Sequence, residues 1–213
     1  MSEDGNVRLV RAAPEDLSDM ARALQEAFAP AVHEAFGTRD YGPIPPDEDV
    51  RASFEAPGAQ VYHIVWNGER VGGAVVRIQE ESGCSVLELF FISPAFHGRG
   101  LGQAAWRAIE AMYPYTRVWE TVTPYFEKRN IHFYVNRCGF HIVEFFNAHH
   151  QDPDVAAPLC PDGLPMPGMD EYFRFRKVMD DSDASIVTKR PTEPVRESGH
   201  AEALTSFSKH GGK

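Results

Sequence analysis

Residues 7–11 alternate apolar and polar side chains, the period of a strand with one covered face. From Pro14 the period changes. Leu17, Met20, Ala21, Leu24 and Phe28 recur three and four residues apart. That spacing predicts an amphipathic helix, and proline with the acids Glu15 and Asp16 suits its first turn. Pro30 is expected to interrupt it, with residues 31–36 forming a second helical stretch ended by Gly37. Gly42, Pro43, Pro45 and Pro46 mark residues 38–46 as a loop, and a short helix follows over 47–54.

Residues 60–66 and 70–80 then read as strands joined by the hairpin turn Asn67-Gly68. Gly72-Gly73 marks a bulge or a close backbone approach in the second of them. After Ser82-Gly83 a third antiparallel strand runs over 85–92, stopped by Pro94. Residues 102–112 have helical spacing through Ala105, Ala108, Ile109 and Met112, and Pro114 ends that helix. A strand over 117–123 follows, then a helix opened by Pro124, reaching about Arg137 and capped by Gly139. Strands over 140–146 and 172–178 close the pattern, with a proline-rich loop over 148–169 between them. Beyond Asp180 the apolar pattern fades into Ser, Thr, Lys, Arg, Glu and Gly, the texture of a disordered tail. The expected division is a domain over residues 1–179 and a tail over 180–213.

Composition adds exclusions. The net charge of −10 opposes binding to nucleic acid or anionic lipid. No apolar run approaches the roughly 20 residues of a membrane span, and the polar first residues lack a secretory pattern. Three cysteines, Cys84, Cys138 and Cys160, have no paired spacing, which suits a reducing cytoplasm. His149-His150, with Asp152 and Cys160, matches no metal-ligand spacing, so no metal is expected. His63 and His132 are expected to line a pocket or the core.

The sharpest chemical signal is His97-Gly98-Arg99-Gly100-Leu101-Gly102, set between a strand and a helix. Glycines let backbone amides approach an anion, and the helix start supplies unpaired N–H groups and a positive dipole end. Together they make a phosphate cradle to which Arg99 adds a cation. A Walker A loop needs Lys then Ser/Thr after its last glycine, whereas Gly102 is followed by Gln103. A dinucleotide fingerprint beginning at Gly98 would need its third glycine at Gln103, and a parallel setting besides. The acyl-CoA turn Q/R-x-x-G-x-G/A fits at every position but His97.

With this turn, and with Asn130 to Phe140 ending in Cys138-Gly139-Phe140, the chain resembles the GNAT superfamily of N-acetyltransferases over about residues 7–178. The resemblance implies an α/β fold of α+β type. A mixed, mostly antiparallel central sheet would splay between its fourth and fifth strands, flanked by about four helices. It implies acetyl-CoA as cosubstrate, an amine acceptor, and dimerisation as a common family habit. The cofactor-binding set it implies is Phe91 and Ile92 by backbone, the turn residues His97, Gly98, Arg99, Gly100, Leu101, Gly102 and Gln103, and Asn130 with Tyr134 beside the pantetheine arm.

For the chemistry, an alkylamine is mostly protonated near neutral pH, so a base must remove a proton. Glu88, set in an apolar strand, is the first candidate base, because burial would raise its pKa. Its other reading is a solvent-facing alternating position. Glu120 is the second, placed by the resemblance on the strand that splays away, and either carboxylate could hold a cationic acceptor instead. The resemblance makes Tyr134 the acid for the departing thiolate. Gly139, however, follows it one residue later than the family spacing, which would put Val135 at that place. The oxyanion is expected at the Ile92 amide. The expected function is acetyl transfer from acetyl-CoA to a primary amine of a small molecule, polyamines, aminoglycosides and amino sugars suiting the negative charge. The alternatives are an acyl-CoA-binding module without turnover and a protein N-terminal or lysine acetyltransferase.

Overall fold

The structure, a computed structural model, describes residues 7–37, 42–153 and 170–179. The predicted tail and most of the proline-rich loop lie outside them. Seven strands form one sheet: β1 (Arg8–Arg11), β2 (Ala59–Trp66), β3 (Glu69–Arg77), β4 (Cys84–Ile92), β5 (Val118–Pro124), β6 (His141–Phe146) and β7 (Tyr172–Val178), in the order β1-β2-β3-β4-β5-β7-β6. Every neighbouring pair is antiparallel except β4–β5. The helices are α1 (Leu17–Phe36), α2 (Asp47–Glu55), α3 (Leu101–Met112) and α4 (Lys128–Phe133), the last continuing as a π-turn over Tyr134–Cys138. The order of strands and helices is the one the sequence predicts.

Two apolar layers hold the sheet. On one face Trp106 and Ile109 of α3, with Tyr134, Cys138 and Phe140, pack on Ile64, Val76, Leu87, Trp119 and Phe175. On the other, Met20 and Leu24 of α1 and Val50 of α2 cover Val61, Val75 and Phe91. Pro30 does not break α1. The proline is exposed, and the apolar row Leu24, Phe28, Val32, Phe36 keeps its spacing of four straight past it. Packing along that row outweighs the one backbone hydrogen bond a proline forfeits. Pro124 likewise does not open a helix; it is the last residue of β5, and α4 begins four residues later.

The feature that positions the site is how little β4 and β5 share. Their register covers Cys84↔Val118, Ser85↔Trp119 and Val86↔Glu120 and then stops. Thr121 Oγ1 donates to the Leu87 carbonyl oxygen (2.9 Å) where the pairing ends. Beyond it the two strands part, leaving the edge of β4 over residues 87–92 facing a cleft. A bulge bends β4 at the same place. Val75 pairs with Leu89 and Val76 with Leu87, so Glu88 is the unpaired extra residue.

On the opposite side β3 clamps this edge. Gly72 sits where a Cβ would meet the Phe91 carbonyl oxygen at 2.2 Å, a backbone atom that cannot yield. We therefore expect Gly72→Ala to destabilise the protein by about 1–3 kcal/mol, as overpacking does. Urea unfolding measures it; wild-type stability would show that β3 and β4 can separate.

Candidate functional site

The turn after β4 is built to present amides. A 3-10 turn over Pro94–Phe96 leads into Gly98 (φ 77°) and Gly100 (φ 76°), both left-handed, with Gly100 capping the start of α3. A Cβ added at Gly98 or Gly100 would meet nothing within 4 Å, so the turn borders open space. The first intrahelical bond runs from the Ala104 amide to the Gly100 carbonyl oxygen (3.1 Å), which leaves the amides of Leu101, Gly102 and Gln103 without a partner inside the helix. Three such amides at the positive end of a twelve-residue helix, next to an open space, fit a diphosphate. Gln103 serves here through its backbone, since its side-chain amide donates to the Arg137 carbonyl oxygen (2.7 Å). Leu101 is buried, and Gly102 lies against the Phe133 ring. Arg99 is drawn the other way, its guanidinium over the rings of Trp66 (5.7 Å) and Phe96 (5.6 Å).

Along the cleft edge the Ser93 amide donates to the Val71 carbonyl oxygen (2.8 Å), so Ser93 turns its N–H to β3. By strand alternation Phe91 does the same, while Ile92 and Phe90 direct their backbone groups into the cleft. The Ile92 carbonyl oxygen is occupied by His97 Nε2 (2.6 Å). Its amide is the one facing the open side.

Tyr134 lies under the apex of the splay. It is 5% exposed, ringed by Phe133, Phe140 and Phe175, and its hydroxyl reaches Thr121, which itself donates to Leu87 at the point of parting. Burial pushes the phenol above its ordinary pKa, so it keeps its proton at neutral pH. The spacing anomaly has a structural cause. Tyr134 opens the π-turn, and its carbonyl oxygen accepts from the amides of both Gly139 and Phe140 (3.0 Å to the latter). The extra residue is taken up inside that wide turn, where Tyr134 belongs to the buried core and Val135 packs partly buried at its edge.

Three carboxylates sit nearby. Glu88 and its neighbour Arg77 are each 8% exposed at the side chain and lie 2.8 Å apart, so Glu88 does not face solvent. Burial raises its pKa, and the Arg77 charge opposes the rise. Glu120, 2% exposed, receives Arg176 Nε at 2.6 Å. Glu127, which the sequence reading passed over, lies just beyond β5 at the N-cap of α4. It is 6% exposed, with its pKa pushed up to about 7 by burial, against the pull of Arg129. Among the described residues no hydrogen bond reaches its carboxylate. It is close enough to Tyr134 to shift that phenol further upward. Asn130 stands one turn before Tyr134, half-buried. Phe126 packs edge-on against Phe36 (5.0 Å) beside Val32 and Ile44.

Elsewhere, His63 is buried 3.2 Å from Asp16, while His132 is exposed, against expectation, and contacts Asn136. His150 stacks on Phe146 and bonds Glu144, and Asp152 accepts from Tyr172 and Arg174. Cys160 lies outside the described residues. Among those described, no three His, Cys, Asp or Glu side chains gather as a metal site, and no helix is long and apolar enough to cross a membrane.

Known proteins place this arrangement. The sequence profile of the acetyltransferase (GNAT) family matches residues 20–140. YrkN of Bacillus subtilis (strain 168), an uncharacterized protein, is 56% identical over 168 residues, 79% of this chain and 91% of that one. The chain belongs to the GNAT acetyltransferase family. Among solved structures this GNAT domain is similar to the ribosomal-protein-S18-alanine N-acetyltransferase of Escherichia coli (13% identity, TM-score 0.56, 85% of this chain and 99% of that one). It is similar also to the spermidine N-acetyltransferase of Vibrio cholerae solved with CoA and spermine (11%, TM-score 0.56, 82% and 96%). At these identities the likeness is one of fold.

The GNAT site's carboxylates differ in what holds them, and this is testable. Removing one partner of a buried ion pair strands the other charge. We expect Arg77→Ala to lower stability by about 3–5 kcal/mol in urea unfolding, whereas the double change Arg77→Met, Glu88→Leu stays near wild type. Equal loss from both variants would show that the pair holds the bulge by more than its charges.

Proposed function

We propose that this protein transfers an acetyl group from acetyl-CoA directly to a primary amine of a small molecule. The observation that carries the reading is the conjunction at one cleft of a diphosphate-shaped turn, an unpaired strand edge and a buried, protonated tyrosine at the apex. The turn amides of residues 98–103 fit the diphosphate, and the exposed edge at Ile92 fits the amides of a pantetheine arm laid alongside as an extra strand. Neighbours of this fold crystallised with CoA or acetyl-CoA support the cosubstrate.

In this reading the amine nitrogen bonds to the acetyl carbon and the carbon–sulfur bond breaks. The Ile92 amide faces the oxygen on which charge develops. Tyr134 supplies the proton that the departing thiolate takes up. Glu127 takes the proton the amine gives up: its pKa, pushed up to about 7, suits that task, whereas the carboxylates of Glu88 and Glu120 are each held in an ion pair with an arginine. We assign Glu88 and Glu120 to bracing the parting strands. Asn130, on the same helix face, is suited to the pantetheine arm. The acidic chain favours a cationic acceptor.

The deciding experiment is CoA release from acetyl-CoA over a panel of polyamines, aminoglycosides, amino sugars and peptide amines. Turnover with peptides alone would replace the small-molecule reading with a protein acetyltransferase. Acetyl-CoA binding without any turnover would leave a binding module. With an acceptor in hand, Tyr134→Phe should lower kcat by roughly 10²-fold or more with KM little changed; an unchanged kcat removes Tyr134 as the acid. The base must be ionised, so kcat/KM should fall as pH drops below about 7. Glu127→Gln should lower the rate and flatten that limb. A limb that persists unchanged in Glu127→Gln assigns it to another group.

A further inference from the structure

The cradle has a second cation that its own motif does not contain. Arg99, the arginine within the turn, lies over Trp66 and Phe96. Arg129 comes instead from α4, and its guanidinium donates to His97 Nδ1 at 2.7 Å. His97 is the first residue of the turn, and its other ring nitrogen contacts the Ile92 carbonyl oxygen at 2.6 Å. The two contacts define the ring. Arginine only donates, so Nδ1 accepts; a carbonyl only accepts, so Nε2 carries the proton. His97 is therefore neutral, in one tautomer. Burial and the Arg129 charge both favour that form by lowering its pKa, with the bond to Ile92 opposing them. Arg129 is exposed, and a guanidinium has five N–H donors, of which His97 engages one. The titratable groups facing it are the Glu127 carboxylate, at the N-cap of its helix, and the neutral His97 ring.

We propose that Arg129, held by His97, is the cation that grips the diphosphate of the cosubstrate. The imidazole acts as a positioning residue. It ties an exposed side chain to the end of β4 and the first residue of the turn, so the remaining guanidinium donors are held beside the turn before any ligand arrives. A bidentate pair with a phosphate then forms with less ordering cost. The inference rests on acetyl-CoA being the cosubstrate, and it accounts for the one position at which the turn departs from the usual Q/R-x-x-G-x-G/A pattern.

The test is calorimetric titration of the intact protein with CoA, beside kinetics with acetyl-CoA and with S-acetyl-pantetheine, which lacks the diphosphate. Arg129→Gln should weaken CoA by about tenfold or more, the loss expected for a charge-assisted contact, and should flatten the salt dependence of binding. At a pH well above 7, where Glu127 stays ionised without the Arg129 charge, KM for acetyl-CoA should rise with kcat unchanged, and KM for S-acetyl-pantetheine should not move. His97→Ala should reproduce the CoA loss in part, because the cation remains but its holder is gone. Arg22→Gln, a charge removed from the far surface of α1, should leave CoA affinity at the wild-type value. Wild-type CoA affinity in Arg129→Gln overturns the proposal, as does a loss that S-acetyl-pantetheine shares equally. If the wild-type protein itself binds no CoA, the cosubstrate reading has failed instead.

Discussion

Three residue pairs join β4 to β5, and the site exists because there are no more. A parallel pair continued along both strands would satisfy every backbone group on the β4 edge and close the sheet. Here the register ends at Val86↔Glu120, and the structure has to hold two diverging strands without letting water-exposed edges collapse together. It does so with side chains rather than ladder bonds. Thr121 ties itself to Leu87 at the apex, Arg77 braces Glu88 in the bulge, and Arg176 braces Glu120 on the side of β7. Trp106 and Trp119 meet edge-on beneath the join (5.3 Å), filling the space under it with packed rings. Buried charges so close to a backbone junction carry a desolvation penalty. That penalty is tolerable because each carboxylate has a cation on the neighbouring strand.

Much of this was legible in the residues where the signal is local. Asn67-Gly68, the β2 to β4 meander and the glycine turn each depend on conformations few residues adopt, so the chain announces them. Gly72 announced a close approach, and the Phe91 carbonyl oxygen is what it approaches. Helix interruptions were legible only in part. Pro30 and Pro124 carry the usual stop and start marks, yet a long apolar row overrides the first, and the second ends a strand.

What stayed hidden is what depends on pairs. Glu88 reads equally as buried or exposed until the bulge is seen, because one unpaired residue changes which side of the strand it occupies. Its arginine belongs to a different strand, and no sequence spacing marks it. Arg129 and His97 are separated by 32 residues, so no local motif marks their contact. Glu127 looks like an ordinary acid at a helix start. Only the burial of that corner lifts its pKa toward neutrality, against the pull of the Arg129 charge.

The π-turn over Tyr134–Cys138 has a consequence for how such chains are recognised. A fixed-spacing template counts residues, whereas a helix counts turns, and a widened turn lets the two counts disagree without moving the side chains on its upstream side. A lineage can therefore gain a residue between its phenol and the following glycine while the ring stays at the same depth. Aligning such relatives by the glycine would shift the phenol's place by one residue; aligning them by the helix face that precedes the widened turn would not.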